Sequence, residues 1–299
     1  MKSSIARLAS VTLAAMLSAS ALAGESDWGQ VAKALGKSGS EMPGGVYRVG
    51  LPRSDLKVTL DGVDIKPALA LGSWLAFQKT GGEAMVMGDL VLTSEEVGPV
   101  MNKLAEGGID ITALHNHLLR SSPATLYMHI RGHGDPVKLA TALHAALAES
   151  KTPFQAAAPA PAQPAAAQID LDTAIVDQTL GAKGTVNGGV YQFNIPRAEA
   201  ITDDGMAVPI SMGTAIAINF QPTGGGKAAV TGDFVLIAKE VNPVLEELLE
   251  HGIEVTALHS HMIDDQPRLF FMHFWAVDDA QKLANGLRAA IDKVAIKKS

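Results

Sequence analysis

The chain has 299 residues and a formal net charge of −7, with 18% charged and 47% hydrophobic residues. This length is sufficient for two domains with ordinary cores, and the lack of a basic patch or basic tail argues against nucleic acid as a partner. Because the chain has no cysteine, disulfides, thiolate metal ligands and cysteine nucleophiles are excluded, so any metal must bind to imidazole, carboxylate or methionine.

Residues 1–23 have the pattern of a secretory signal peptide. Lys2 and Arg7 supply positive charge, an apolar run extends to Leu22, and the small residue Ala23 ends an Ala-x-Ala cleavage signal. The apolar run is too short for a comfortable membrane span, and no other segment approaches the required length. The sequence therefore predicts a periplasmic or secreted protein without a transmembrane anchor. Since no cysteine is available for lipidation, the mature form is expected to be released.

The first domain is expected over residues 26–150, with a mixture of helix and strand patterns. The elements predicted before residue 93 are a helix at 26–36, a hairpin around Asp61-Gly62, and strands at 44–53, 74–78 and 84–92. Thr93 then begins a helix, with Glu96 three residues later as in a capping box. The remaining elements are strands at 109–118 and 124–132 and a helix that begins at Asp135-Pro136.

Residues 151–169 consist mainly of alanine and proline, a composition typical of a semi-extended linker. The segment 170–296 then repeats the first domain. Gly188 to Tyr191 matches Gly44 to Tyr47, and the other matched positions share this displacement of 144 residues. The sequence therefore predicts two tandem copies of one α+β domain. A ferredoxin-like or related sandwich of one sheet with helices is the expected architecture.

Six of the nine histidines occur in two copies of one pattern, His-x-His followed by Met-His. They are His115, His117 and His129 in the first copy and His259, His261 and His273 in the second. Side chains two residues apart in a strand point to the same face. If the next strand returns antiparallel with residue 129 opposite either 117 or 115, all three imidazoles of a copy share one face. We therefore expect one three-histidine site per repeat.

Three converging imidazoles are a suitable ligand set for zinc or copper, with an open position for water or substrate. A metal or catalytic site is the favoured interpretation of the pattern. Two alternatives stay open. The histidines could bind a ligand without metal, or they could be packing residues that both copies share through duplication.

Two kinds of carboxylate also recur between the copies. Asp89 and Asp233 follow a glycine inside apolar strands, where an unpaired carboxylate is costly, so each needs a partner and is a candidate cofactor-binding residue. Glu96 and Glu240 are candidate catalytic bases acting on a metal-bound water, or acceptors for an imidazole N–H. The alternative role for Glu96 is to cap its helix.

Arg53 and Arg197, each preceded by proline, recur as well. A solvated arginine at the end of a loop is favoured over one that holds an anionic substrate. The sequence has no P-loop, no Rossmann glycine pattern, no Gly-x-Ser-x-Gly elbow and no His-Glu-x-x-His helix, which leaves the histidines as the principal candidate site.

The Gly-Asp-Leu/Phe-Val-Leu strand, the helix after it, the Ala-Leu-His-Asn/Ser-His strand and the Met-His strand together resemble the LppY/LpqO-like family. The resemblance covers both repeats and nearly all of the mature chain. It implies an exported bacterial protein with a duplicated domain, and it supplies no catalytic assignment. The chain differs from the lipoprotein members of that family because it has no cysteine at the cleavage site.

The favoured hypothesis is a periplasmic or secreted protein that binds zinc or copper at a three-histidine site in each repeat. The first alternative is a metal-dependent hydrolase that acts on a cell-envelope substrate, with Glu96 or Glu240 as base. The second is a metal-free binding module for a small anionic or sugar ligand. The partner is a metal ion or a small molecule in every case.

Overall fold

The computed structural model describes residues 28–154 and 169–297, which are called here the first half and the second half. The predicted signal peptide and most of the predicted linker lie outside the described residues. Each half is a mixed structure of helices and an antiparallel sheet, and no helix among the described residues is long and apolar enough to cross a bilayer.

The elements of the first half follow the predicted order closely. They are α1 (Trp28–Leu35), β1 (Ser40–Met42), β2 (Val46–Pro52), β3 (Val58–Leu60), β4 (Val63–Ile65), α2 (Pro67–Ala70), β5 (Gly72–Thr80), β6 (Glu83–Leu92), α3 (Ser94–Glu106), β7 (Asp110–His115), β8 (Leu126–Gly134) and α4 (Pro136–Leu147).

The second half repeats this order with one additional short strand pairing. Its elements are α5 (Thr173–Leu180), β9 (Thr185–Asn187), β10 (Val190–Pro196), β11 (Thr202–Asp203), β12 (Met206–Ala207), β13 (Ala215–Gly224), β14 (Lys227–Ile237), α6 (Val241–Glu250), β15 (Glu254–His259), β16 (Asp265–Gln266), β17 (Leu269–Asp279) and α7 (Ala280–Ile291). Short 3₁₀ turns at Ile210–Met212 and Ala238–Glu240 complete it.

The main sheets have the same strand order in the two halves. The first is β1-β2-β5-β6-β8-β7 and the second is β9-β10-β13-β14-β17-β15, and the smaller sheets are β3-β4 and β12-β11-β16. A ferredoxin-like domain has the chain order βαββαβ. Here the first four strands of the main sheet, β1, β2, β5 and β6, pair antiparallel in succession before α3 begins, so the ferredoxin-like expectation is not confirmed. The coarser prediction of two repeated halves with a sheet and helices is confirmed.

Local sequence explains where the helices of the first half begin and end. One bond of the predicted capping box is present at the start of α3: the main-chain N–H of Thr93 donates to Glu96 Oε2 at 2.9 Å. The helix ends at Glu106, and Gly107 follows it as the C-cap. The side chain of Asp135 accepts the main-chain N–H bonds of the first turn of α4. The apolar faces of α1, α3 and α4 pack against one face of the sheet, as the spacing predicts.

The opposite faces of the two main sheets face each other, so the layer order is helices, sheet, sheet, helices. Met87 of the first sheet belongs to the same buried apolar cluster as Met212 of the second half, and both residues line one small pocket. Polar bonds also join the halves: Gln192 Nε2 donates to the Ala68 carbonyl oxygen at 2.7 Å. The inner faces therefore form the interface between the halves, and side chains on these faces meet residues of the other copy.

Candidate metal centre

Strand register places the aspartates beside the histidines. Asp89 on β6 has Trp74 of β5 on one side and His129 of β8 on the other as direct cross-strand neighbours. In the second half, Asp233 on β14 lies between Ala217 and His273 in the same way. The recurring aspartates and the histidines of the Met-His strands are therefore adjacent in both copies.

The His-x-His segments lie at the ends of edge strands. His115 is the last residue of β7 and lies opposite Tyr127, while Ala113 lies opposite His129 after a β-bulge. Neither predicted register, with residue 129 opposite 117 or 115, is observed. The observed register differs from each predicted register by an even number of residues. The predicted face is therefore correct, although the predicted pairing is wrong. His259 and Phe271 are paired correspondingly in the second half.

The histidines of the two copies form one group rather than two separate sites. Ring centroids are 3.5 Å apart for His115 and His259, at the centre of the group. On either side, His117 and His273 stack at 3.6 Å, and His129 and His261 also stack at 3.6 Å. We call these residues the six-histidine cluster. Each stacked pair has one ring from each half, so the expectation of one independent three-histidine site per repeat is corrected.

Two matching hydrogen bonds hold the edge strands of the halves together at this cluster. Thr112 Oγ1 donates to the main-chain oxygen of His261, and Thr256 Oγ1 donates to that of His117, both at 2.6 Å. Thr112 and Thr256 are equivalent positions of the repeat. The cluster therefore has an approximate twofold axis that passes between His115 and His259.

Several combinations of these side chains place potential metal-ligating atoms within 4.8 Å of one another. The combinations are His115, His129, His259 and His261; His115, His117 and His273; Asp89, His117 and His129; and Asp233, His261 and His273. The histidine combinations draw on both halves. Each aspartate is grouped with one histidine of the His117–His273 pair and one histidine of the His129–His261 pair. Either carboxylate could therefore join the ligands of either pair.

The ligating atoms are buried and lack hydrogen-bond partners among the described residues. This is true of both ring nitrogens of His115 and His259 and of Nε2 of the other four histidines. It is also true of Oδ1 of Asp89 and Asp233. The nearest His–Asp approach is 3.5 Å, between His261 Nε2 and Asp233 Oδ2. Because buried polar atoms normally have partners, this concentration of unpaired lone pairs fits a ligand that binds them.

Burial keeps the imidazoles neutral. It lowers the pKa of His115 to about 3 and that of His273 to about 4. The pKa values of the others, His117, His129, His259 and His261, also lie below the ordinary value because burial disfavours the charged ring and neighbouring imidazoles add repulsion. Neutral imidazole is the form that binds metal.

One tautomer follows from a main-chain contact. His273 Nδ1 lies 2.9 Å from the carbonyl oxygen of Gly232, which can only accept, so Nδ1 carries the proton and Nε2 keeps its lone pair. Such a bond from the second nitrogen commonly orients a metal-binding histidine. For the carboxylates, burial raises the pKa of Asp89 to about 8 and holds that of Asp233 well above its usual range.

Residues 29–149 and 174–293 each match the model of the family described as Domain of Unknown Function (DUF1259). The chain belongs to this family. The two matches confirm a duplicated domain, and they do not confirm the LppY/LpqO-like name. A search of curated proteins gave no match.

Two solved structures resemble this DUF1259 chain weakly. A trimeric bacterial microcompartment shell protein, PduB, has a TM-score of 0.21 at 11% identity, covering 85% of this chain and 90% of that chain. EtuB from Clostridium kluyveri has a TM-score of 0.20 at 7% identity, covering 85% and 88%. Similarity this low carries no argument about fold or assembly.

The structure does not bring the glutamates to the cluster. Glu96 accepts bonds from Arg53 at 2.7 and 3.1 Å and from the main-chain N–H groups of Thr93 and Lys151. Both of its oxygens are thereby engaged away from the histidines. The geometry favours the capping role and gives no support to a catalytic one, which stays a prediction.

Glu240 repeats this arrangement in the second half. It accepts bonds from Arg197 at 2.7 and 3.2 Å and from two main-chain N–H groups. Arg53 and Arg197 are 0% and 4% exposed, so the expectation that these arginines are solvated is wrong. They are buried because each neutralises a glutamate at the start of a helix.

The cluster opens into a cleft of about 1770 Å³ between the halves. Asp89, Asp233 and four of the cluster histidines line it. The cleft also contains Arg48 and Trp74, which the sequence reasoning missed. The sequence held one indication of this site. Arg48 is a charged residue inside a mainly apolar strand, and the matching position of the second copy, Gln192, has no charge.

Proposed function

We propose that this DUF1259 protein binds a transition metal, zinc or copper, at a centre shared by its two halves. The observation that carries the proposal is the set of buried imidazole nitrogens without partners in the six-histidine cluster. An unsatisfied buried polar atom costs about 1–3 kcal/mol, and a metal ion would satisfy several at once. Neutral nitrogen ligands in this number suit zinc and copper better than magnesium or calcium.

The pairing of the rings supports two ions. One would use His129 and His261 with His259, the other would use His117 and His273, and His115 is available to either. Each ion would then be held by both halves. The potential ligand atoms of each aspartate and of one histidine from each of these two pairs lie within 4.8 Å of one another, so a carboxylate bridge between the ions is compatible with the chain.

The location proposed for this protein is the periplasm or the exterior of the cell. The support is the sequence pattern of residues 1–23, with its apolar run and Ala-x-Ala ending. Expression of the full-length gene and N-terminal sequencing of the exported product test this point. Cleavage near Ala23 is expected, and a product that keeps its first 23 residues in the cytoplasm would contradict it.

Elemental analysis of protein purified without a histidine tag tests the metal proposal. About two equivalents of zinc or copper are expected. The double variant His117→Ala, His129→Ala changes only the first half, and in a shared centre it should lose both ions. Retention of one full equivalent would instead indicate independent sites in each half.

His133→Ala is the matched control for this experiment, because His133 is a histidine of the first half whose side chain is 39% exposed. It should keep the wild-type metal content. Protein that takes up no metal, even after reconstitution with zinc and with copper, would refute the proposal. That result would leave the metal-free binding module as the remaining candidate.

A second candidate function is metal-dependent hydrolysis of a cell-envelope substrate. The observation that favours it is the cleft, which contains Asp89 and Asp233 beside the cluster. A bound metal would supply an activated water. If this candidate is correct, hydrolysis of p-nitrophenyl acetate or bis-p-nitrophenyl phosphate by the zinc-loaded protein should be abolished in Asp89→Asn and retained in Glu96→Gln.

A further inference from the structure

The cleft gives small molecules direct access to the six-histidine cluster. Asp89, His117 and His129 of the first half line it together with Asp233, His261 and His273 of the second half. Its volume of about 1770 Å³ is greater than most small-molecule pockets require. A molecule in this cleft can therefore contact the cluster and the cleft wall at the same time.

One wall of the cleft presents a cation that is not paired with a carboxylate. The guanidinium of Arg48 lies 4.1 Å from the ring centroid of Trp74. Its Nη1 donates to the main-chain oxygen of Ser211. Among the described residues no carboxylate lies within 4.0 Å of it, and Asp89 interacts with it electrostatically at longer range. A guanidinium has five N–H donors, so most of the donors of Arg48 stay available.

The two buried arginines that directly follow β2 and β10 contrast with Arg48. Arg53 is held by Asp55 and Glu96, and Arg197 by Glu199 and Glu240. Those guanidinium groups are fully neutralised by the protein. Arg48 is instead fixed by a ring face and a carbonyl, an arrangement that orients the guanidinium without a direct ion pair.

The cluster residues recur in both halves, but this cation does not. The residue 144 positions after Arg48 is Gln192, whose side chain donates to the main chain of Ala68. The residue that pairs with Asp233, as Trp74 pairs with Asp89, is Ala217. The histidines and aspartates are the same in both copies, whereas the cation and the aromatic ring are present at one end only.

From this placement we propose that the cleft binds a small molecule with an oxyanion group, carboxylate or phosphate, and that Arg48 holds this group while the rest of the molecule extends toward the cluster. This inference rests on the proposed metal-binding function, because the end of the ligand away from Arg48 would contact the metal centre. A bound divalent cation and Arg48 would concentrate positive charge in one sheltered cavity, and an anion is the ligand that such a field attracts.

The test uses zinc-loaded full-length protein freed of excess zinc, titrated calorimetrically with inorganic phosphate and, separately, with acetate. Arg48→Gln copies the residue of the second half. At equal zinc content it should weaken binding of the preferred probe by about tenfold or more, because charge-assisted bonds are lost. Tighter binding of phosphate identifies a phosphorylated ligand class, and tighter binding of acetate identifies a carboxylate.

Arg120→Gln is the charge-matched control. Arg120 is exposed and pairs with Asp61 and Glu254 outside the cleft, so its loss should leave probe affinity unchanged. Equal probe affinity in wild type and Arg48→Gln would overturn the inference, as would a wild-type protein that binds neither probe at millimolar concentration.

Zinc content, measured on the same samples, separates the two proposals. Bound zinc with probe binding that does not depend on Arg48 refutes the anion site alone. Probe binding that depends on Arg48 in protein that takes up no zinc supports the anion site and refutes the metal centre. Arg48→Lys, which keeps the charge without the planar fork, should show intermediate affinity.

Discussion

Replacing Glu96 by alanine should destabilise the first half strongly and leave metal binding unchanged. The structure gives Glu96 a different role from that of a base. It is 7% exposed and neutralises Arg53, which is 0% exposed. Removing the glutamate would leave this guanidinium buried with Asp55 as its remaining carboxylate partner, at 2.8 Å.

The magnitude follows from the bonds that are lost. Breaking a buried ion pair by removing one partner typically costs about 3–5 kcal/mol. Because Asp55 still pairs with Arg53, we expect the lower limit of about 3 kcal/mol, and loss of the bond to the Thr93 N–H adds about 1 kcal/mol. With a urea dependence of about 2 kcal/mol per molar, the unfolding midpoint should fall by about 1.5–2 M.

The assay is urea unfolding followed by circular dichroism, with zinc content measured on the folded samples. Glu95→Ala is the control, because Glu95 is exposed in the same helical turn, and its midpoint should stay close to that of the wild type. A Glu96→Ala protein with an unchanged midpoint and a lost metal-dependent activity would refute the structural reasoning. It would restore the catalytic role that the sequence suggested.

Gly232→Ala would place a Cβ atom 2.0 Å from a main-chain carbonyl oxygen on the neighbouring strand, so it should yield poorly folded protein with a lower melting temperature and less bound zinc. In metal-free protein, burial lowers the pKa of His115 to about 3, so the unfolded state binds protons first and stability should fall as the pH drops below about 6.5. The pKa of Asp89 is raised to about 8 in the folded protein, whereas in the unfolded chain it is about 4. Its protonation therefore stabilises the fold fully below about pH 4, and this contribution is lost as the pH rises through about 8. Since histidines outnumber aspartates in the cluster, melting temperatures should peak near pH 6.5, and a monotonic rise to pH 9 would contradict this. Arg120→Ala removes two exposed ion pairs, with Asp61 and Glu254, and should not change the urea midpoint measurably. A clear decrease of the midpoint would show that surface pairing holds the halves together.

Local patterns predicted much of this molecule. The period-2 rule placed His115 and His117 on the face that also carries His129, because face depends only on whether the separation is odd or even. The same rule could not give the register. The bulge between Ile111 and Ala113 adds a residue that no hydrophobic pattern in the strand indicates.

The six-histidine cluster depends on packing between the halves, which the repeated sequence pattern does not predict. Each copy, considered alone, predicts a three-histidine patch on an open sheet face. Only the meeting of the two inner faces stacks His115 on His259 at 3.5 Å. The role of the glutamates could not be predicted for a related reason. A catalytic base, a helix cap and a buried counter-ion have the same pattern in the sequence, and only the structure places Arg53 beside Glu96.

The approximate twofold axis between His115 and His259 has a consequence for how such a protein can diversify. A polypeptide with a single repeat could build this arrangement only as a homodimer, in which every substitution is copied to both ends of the cavity. Fusion of the two subunits into one chain removes that restriction. Residues on the axis must still pack against both halves. Positions such as 48 and 192, which lie away from the axis, can differ: Arg48 supplies a charge to the cleft, and Gln192 forms a hydrogen bond between the halves.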